Sequence, residues 1–269
     1  MTNSKIEWTE VTWNPTTGCS KISDGCKHCY AEIMSYRLKA MGLKKYEHGF
    51  SVRVHNKTLT IPFEWKKPRL IFVNSMSDLF HQEIPISFIK EVFKVMNSCP
   101  QHTFQVLTKR GDILEKYSKE LSWSPNIWMG VSVENMLTID RIDCLRNTQA
   151  AVKFISFEPL LEHIEDINLN LIDWVIVGGE SGSKSRPIKK GWVEAIHRQC
   201  ISEGVKFFFK QWGGKNKKKA GRLLNKKTYS EMPQIEIVRG EKEPNKSLNA
   251  DPKQRGFSND LGRLSEFTA

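Results

Sequence analysis

Short runs of β-branched and aromatic residues recur along the chain, at residues 70–73, 103–107, 127–131, 152–157, 174–177 and 205–209. Their length and near-continuous apolarity predict parallel strands covered on both faces. A further short strand is expected at residues 11–13. Between the strands the apolar spacing changes to a helical one: Ile86, Ile89, Val92, Phe93 and Met96 form one stripe, and Trp192, Ile196 and Cys200 another. Ile139, Ile142 and Leu145 supply a weaker third, and residues 30–41 read as one more helix. Repeated strand–helix units with right-handed crossovers give an α/β barrel, complete or partial, or an open doubly wound sheet.

Each strand runs out into polar residues. The exits read Asn74-Ser75-Met76-Ser77-Asp78, Thr108-Lys109-Arg110, Ser132-Val133-Glu134-Asn135, Glu158-Pro159, Gly178-Gly179-Glu180 and Lys210-Gln211-Trp212. In parallel α/β folds the carboxyl ends of the strands form the site, so these groups are candidates to line one pocket. Helix capping is the ordinary role for Ser77 or Asp78, and for Ser132. It does not account for Glu158 before a proline, or for Lys109 and Lys210 directly at strand ends.

Near the N-terminus three of the six cysteines crowd one stretch, Cys19, Cys26 and Cys29, with Gly18 and Gly25 beside them. Three thiolates leave one iron of a [4Fe–4S] cluster open to a further ligand. A structural zinc site is the competing reading and needs a fourth ligand such as His28, His48 or His55. Cys99, Cys144 and Cys200 are scattered and read as packing residues.

The chain's 269 residues suffice for one barrel-sized domain, expected over 1–233, with a polar tail over 234–269. Forty-one Lys and Arg against 30 Asp and Glu give a net charge of +11, which favours a polyanionic partner. The glycine-rich loop with Lys215, Lys217, Lys218, Lys219 and Arg222 is the candidate nucleic-acid contact, beside Trp212 as an exposed ring for stacking. No apolar run approaches the ~18–20 residues of a membrane span, and residues 1–8 contain no apolar signal core. A reducing cytoplasm is the expected location, where clustered thiols serve metals more often than disulfides.

At these residues the chain resembles the phage Gp37/Gp68 family, a domain of unknown function. The resemblance rests on Ile6-Glu7-Trp8-Thr9, Thr12-Trp13-Asn14-Pro15, the cysteine segment through Tyr30-Ala31, Asn74 to Phe80, Leu107 to Arg110, Gly130 to Asn135, Ser156 to Leu160, Gly178 to Gly182 and Lys210 to Gly213. That family in turn resembles the radical S-adenosylmethionine superfamily, which implies a partial (β/α)6-like TIM barrel. It also implies that Cys19, Cys26 and Cys29 hold a [4Fe–4S] cluster whose free iron chelates S-adenosylmethionine. The reduced cluster would then cleave that cofactor to a 5′-deoxyadenosyl radical. Six residues separate Cys19 from Cys26, more than in the superfamily's CxxxCxxC, and Gly178-Gly179-Glu180 follows a late strand rather than the second. Cofactor contacts are therefore assigned by position to Ser75, Asp78, Ser132, Gly178 and Gly179, and substrate orientation or proton transfer to Glu134, Glu158, Glu180 and Lys109. The resemblance further implies a flavodoxin- or ferredoxin-type reductant and a three-Cys-motif partner protein. The expected substrate is a nucleic-acid base, with a small metabolite or nucleotide as the alternative. A zinc-stabilised nucleic-acid-binding module and a non-catalytic phage accessory protein are the readings from other classes.

Overall fold

The apolar runs pair side by side in the order in which the chain makes them. In the computed structural model, which describes residue 4 and residues 6–234, seven strands form one sheet. They are β1 (Val11–Trp13), β4 (Leu70–Val73), β5 (Thr103–Thr108), β6 (Ile127–Ser132), β7 (Val152–Phe157), β8 (Trp174–Gly178) and β9 (Lys206–Gln211). Every neighbouring pair is parallel and the spatial order is β1-β4-β5-β6-β7-β8-β9. Sequential order means that each crossover advances in the same direction, which is the winding of a barrel and not of a doubly wound sheet. The result is an open half-barrel with one strand more than the six-unit expectation, because the short run at 11–13 joins as an edge. The other edge, β9, is covered by residues 229–231, whose backbone bonds to Phe207 and Phe209 satisfy groups that an exposed strand would leave open.

Helices α3 (Ile86–Asn97), α4 (Gly111–Ser118), α5 (Arg141–Arg146) and α6 (Lys190–Ser202) fill four of the crossovers, and the β7–β8 connection runs without a helix. Their apolar stripes pack with Ile71, Val73, Phe104, Val106, Met129, Ile155, Val175 and Phe207 into the main core on the outer side of the sheet. Among the described residues no helix is long and apolar enough to cross a membrane. The polar tail expected over 234–269 falls, after Gln234, outside the described residues.

The inner face has its own pattern, set by the two-residue alternation of a strand. Toward the amino ends of the strands it is made of Phe72, Trp128, Val152, Phe154, Trp174, Ile176 and Phe208, and Trp8 inserts among them. Trp8 meets Phe72 at a ring separation of 4.7 Å and Trp174 at 6.2 Å. These rings fill the lower half of the barrel. Two to six residues further along the same faces stand Ser132, Glu134, Ser156, Glu158, Gly178 and Lys210. The cavity floor is therefore aromatic and its mouth polar.

Between β1 and β4 the chain makes a long excursion. It carries the cysteine segment, α1 (Tyr30–Ala40), the two-stranded pair β2 (Thr16–Thr17) and β3 (Arg53–Val54), and the short α2 (Ile61–Glu64). Hydrogen bonds from Gly18 N to Met76 O and from Thr16 N to Asn74 Oδ1 hold its start against the β4 exit.

Candidate active site: a cysteine loop clamped over the barrel mouth

Cys26 ends a single 3-10 turn, Asp24–Cys26, and Cys29 is the N-cap of α1. All three cysteines of the segment are free and half-buried. Burial pushes the Cys19 thiol up to about 11; Asp78 adds to the rise and Arg110 opposes it. Burial also raises Cys29, against the backbone N–H groups of Glu32 and Ala31 at the helix start. Both outer thiols sense the charge of Cys26, so the three lie within electrostatic reach of one another. Among the described residues no three His, Cys, Asp or Glu side chains close around a common metal position.

Three buried acid–base clusters, each at a different strand exit, clamp this loop. At the β4 and β5 exits, Asp78 accepts from Arg110 Nη1 (2.9 Å), Thr108 Oγ1 (2.7 Å), Lys109 N (3.1 Å) and Phe80 N (3.0 Å). Arg110, fixed by this carboxylate, donates to Cys19 Sγ (3.4 Å) and to Ser20 O (3.0 Å) and Oγ (3.1 Å). His81 Nε2 lies 2.7 Å from the same hydroxyl.

At the β6 exit, Glu134 is fully buried between Lys109 and Arg141, whose Nη1 is 2.9 Å away. Burial alone would raise its carboxyl, but the two cations outweigh that and hold it below the usual range. It accepts from Ser23 Oγ at 2.8 Å. Gly25 lies against its other side: a Cβ there would stand 2.4 Å from Glu134 Cγ, so only glycine permits this approach.

At the β8 exit, Glu180 receives a fork from Arg186, Nη2 at 2.6 Å and Nε at 2.9 Å, with the backbone N of Arg186 at 2.8 Å. Arg186 then donates to Asp24 O at 2.9 Å, and His28 Nδ1 lies 3.2 Å from the same carboxylate. Burial would raise Glu180, but the Arg186 and His28 hydrogen bonds bring it down to about 2. A carboxyl depressed from an ordinary 4.5 stabilises the fold fully above that value and loses the contribution as pH falls from 4.5 toward 2. Urea midpoints measured from pH 6 to pH 3 should therefore fall more steeply for the wild type than for Glu180→Gln. Parallel curves would contradict this assignment.

Among the positions proposed for the pocket, Lys109, Glu134 and Glu180 are thus committed to loop anchoring. Glu158 is not: its partners are Lys210 Nζ (3.0 Å) and Ser156 Oγ (3.3 Å), and the pair faces the mouth. Asp78, placed by position near the cofactor, has both oxygens filled by four donors. It serves Arg110. Ser75 borders the mouth, with its hydroxyl on Asn14 Oδ1 (3.3 Å) and its carbonyl accepting from Tyr30 OH. Ser132 lies on the inner face and lends its carbonyl to Arg141 Nη1 at 2.7 Å. Neither Asp78 nor Ser132 caps a helix, since α3 starts at Ile86 and α5 at Arg141. Gly178 makes room for Glu158, whose Oε1 would be 2.4 Å from an added Cβ, and Gly179 for the backbone of Trp212, 2.2 Å away.

The basic loop at residues 215–222 is partly engaged within the fold. Arg222 stacks on Phe208 with its guanidinium 4.6 Å from the ring, and donates to Tyr229 O and Ser230 Oγ. Trp212 is half-buried edge-on against Phe209 and donates to Leu223 O, so it is no free stacking platform. Lys215 and Lys219 are exposed, and Lys217 and Lys218 lie in the short α7 (Lys217–Ala220). Sequence reasoning missed Arg141 and Arg186 as anchors and Trp8 as the plug; the acids they serve lie on separate chain segments, and spacing does not signal such pairings.

Three free thiols on one loop, one against an arginine and one at a helix start, suit a cluster that requires thiolates. The donor set fits.

Residues 3–233 match the family described as "Protein of unknown function (DUF5131)". No curated protein matches the chain. Among solved structures, spore photoproduct lyase complexed with dinucleoside spore photoproduct is similar at a TM-score of 0.43 and 13% identity, over 74% of this chain and 62% of that one. A mutant of that lyase with bound AdoMet and dinucleoside spore photoproduct gives 0.44 and 12%, over the same shares.

Proposed function

We propose that this chain, which belongs to the DUF5131 family, is a radical S-adenosylmethionine enzyme acting on nucleic acid. The observation that supports this reading is the three-cysteine loop, clamped at three strand exits over the polar mouth of a parallel half-barrel. When bound, a [4Fe–4S] cluster with one open iron supplies an electron to the sulfonium of S-adenosylmethionine, whose cleavage gives methionine and a radical able to take hydrogen from a substrate.

The chain's own residues supply the rest. Cys19, Cys26 and Cys29 would hold the cluster. Arg110 favours the thiolate of Cys19, and Asp78, saturated by donors, keeps that guanidinium in place. The aromatic floor around Trp8 and Trp174 closes the barrel from below and keeps water from entering there. Glu158 and Lys210, facing the mouth, are the groups free to orient a ligand or move a proton. The net charge of +11 supports a polyanionic substrate.

A second reading keeps one specific observation in its favour. With Nδ1 directed at Glu180, His28 has the carboxylate-backed form common in zinc ligands, which would make a Cys₃His site.

The test is anaerobic reconstitution with iron and sulfide, then reductant and S-adenosylmethionine. The expected product is 5′-deoxyadenosine, and its absence from protein carrying a full cluster would overturn the proposal.

A further inference from the structure

The stretch from Asn14 to Arg69, between the first two strands of the sheet, contains eleven Lys and Arg against four Asp and Glu, a net +7 of the chain's +11. Its helix α1 exposes one continuous stripe, Tyr30, Ile33, Met34, Arg37 and Met41, at the 3–4 residue spacing of a single helix face. Tyr30 and Tyr36 are each 56% exposed. The ring of Tyr36 lies beside Gly49, where an added Cβ would stand 2.9 Å from it. Among the described residues Arg37, Lys39 and Lys44 have no ion-pair partner, and the helix's one acid, Glu32, is taken by Lys21 at 2.9 Å. The stripe also has a fixed end: Tyr30 OH donates to Ser75 O at the β4 exit, so the face begins at the barrel mouth.

We propose that the exposed surface of α1 and of the turn after it, on which Tyr36 and Lys39 flank the stripe and Lys44 follows it, is, in place of the Lys215–Arg222 loop, the docking surface for a single-stranded or locally unpaired nucleic acid, which it leads into the mouth. The inference rests on the nucleic-acid reading above and names its surface. Unpaired cations beside open aromatic rings are the combination that tracks a phosphate backbone and stacks bases. The helix spans about 16 Å, room for a few nucleotides. At the other candidate loop Arg222 is already consumed by Phe208, Tyr229 and Ser230. An acidic protein is the other class of partner that a basic apolar face could take. The open tyrosines and their tether to the mouth favour the nucleic acid.

The experiment is fluorescence anisotropy with a labelled single-stranded oligonucleotide of about 20 nucleotides, over a salt series. The triple variant Arg37→Gln, Lys39→Gln, Lys44→Gln should bind at least about tenfold more weakly and lower the log–log salt slope by about 2. Tyr36→Leu should weaken binding roughly fivefold or more with little change in slope. Lys215→Gln with Lys219→Gln should change binding less than about twofold. All these side chains are exposed, and circular dichroism melts confirm that each variant is folded. If the loop variant loses binding while the α1 variant keeps it, the proposal is overturned. The same holds if the oligonucleotide shows no salt-dependent binding, or if the α1 substitutions abolish only capture of an acidic protein. Binding is read without S-adenosylmethionine or reductant, and 5′-deoxyadenosine formed without substrate is read separately, so failure here is distinguishable from failure of the radical chemistry.

Discussion

Cys26→Ala protein, reconstituted anaerobically beside the wild type, is expected to stay colourless and to form no 5′-deoxyadenosine. Before reconstitution its melting temperature should lie within about 2 °C of that of the wild type, because a half-buried side chain with few partners contributes little to the fold. This sulfur and Ser23 Oγ lie 3.8 Å apart, a weak contact. The loop instead stands on backbone and side-chain bonds made by Ser20, Ser23, Asp24 and His28. Removing one thiolate of three therefore separates metal binding from folding. A Cys26→Ala protein that still holds a full cluster and forms product would show that the ligands lie elsewhere.

Glu134→Gln is the substitution with the largest expected cost to the fold. The carboxylate is fully buried, and Lys109 and Arg141 both point at it. An amide of the same size leaves two cations without a counter-charge, a loss of about 3–5 kcal/mol for a broken buried pair. In a domain of this size that lowers the melting temperature on the order of 10 °C. The damage also reaches the cysteine loop, because Ser23 donates to this carboxylate and Gly25 packs on it. Iron uptake should fall together with the melting temperature. Thermal melts and iron assays on one preparation check both, and an unchanged melting temperature would show that the cluster of charges is not what braces the loop.

The strands were legible because each fully covered parallel strand is an unbroken apolar run, and such runs stand out in a chain this polar. The same alternation that places Trp128 and Phe154 on the inner floor places Glu134 and Glu158 above them, so a shared face was readable once the strands were known. The division of labour at that face was not. Glu134, Glu158 and Glu180 look alike at three strand exits, yet two anchor the loop and one faces the mouth. What separates them is the neighbouring arginine: Arg141 on α5 serves Glu134, and Arg186 in the β8–α6 connection serves Glu180, while the carboxylate of Glu158 pairs with Lys210 and no arginine. Such partners are set by how the exits converge in space. Trp8 was visible only as a residue before the first strand; its role depends on the half-barrel being open enough below to admit it. The basic loop at 215–222 was conspicuous by composition, but composition does not tell a free guanidinium from one stacked on a phenylalanine.

The central claim is that three cysteines of this chain hold a four-iron cluster with one position left open. Electron paramagnetic resonance of the reduced, reconstituted protein, with iron, sulfide and zinc counted on the same sample, tests it most directly. The account predicts about four irons and four sulfides per chain, and a signal that shifts when S-adenosylmethionine is added. One tightly held zinc without sulfide, or a cluster signal that the cofactor leaves unchanged, would contradict it.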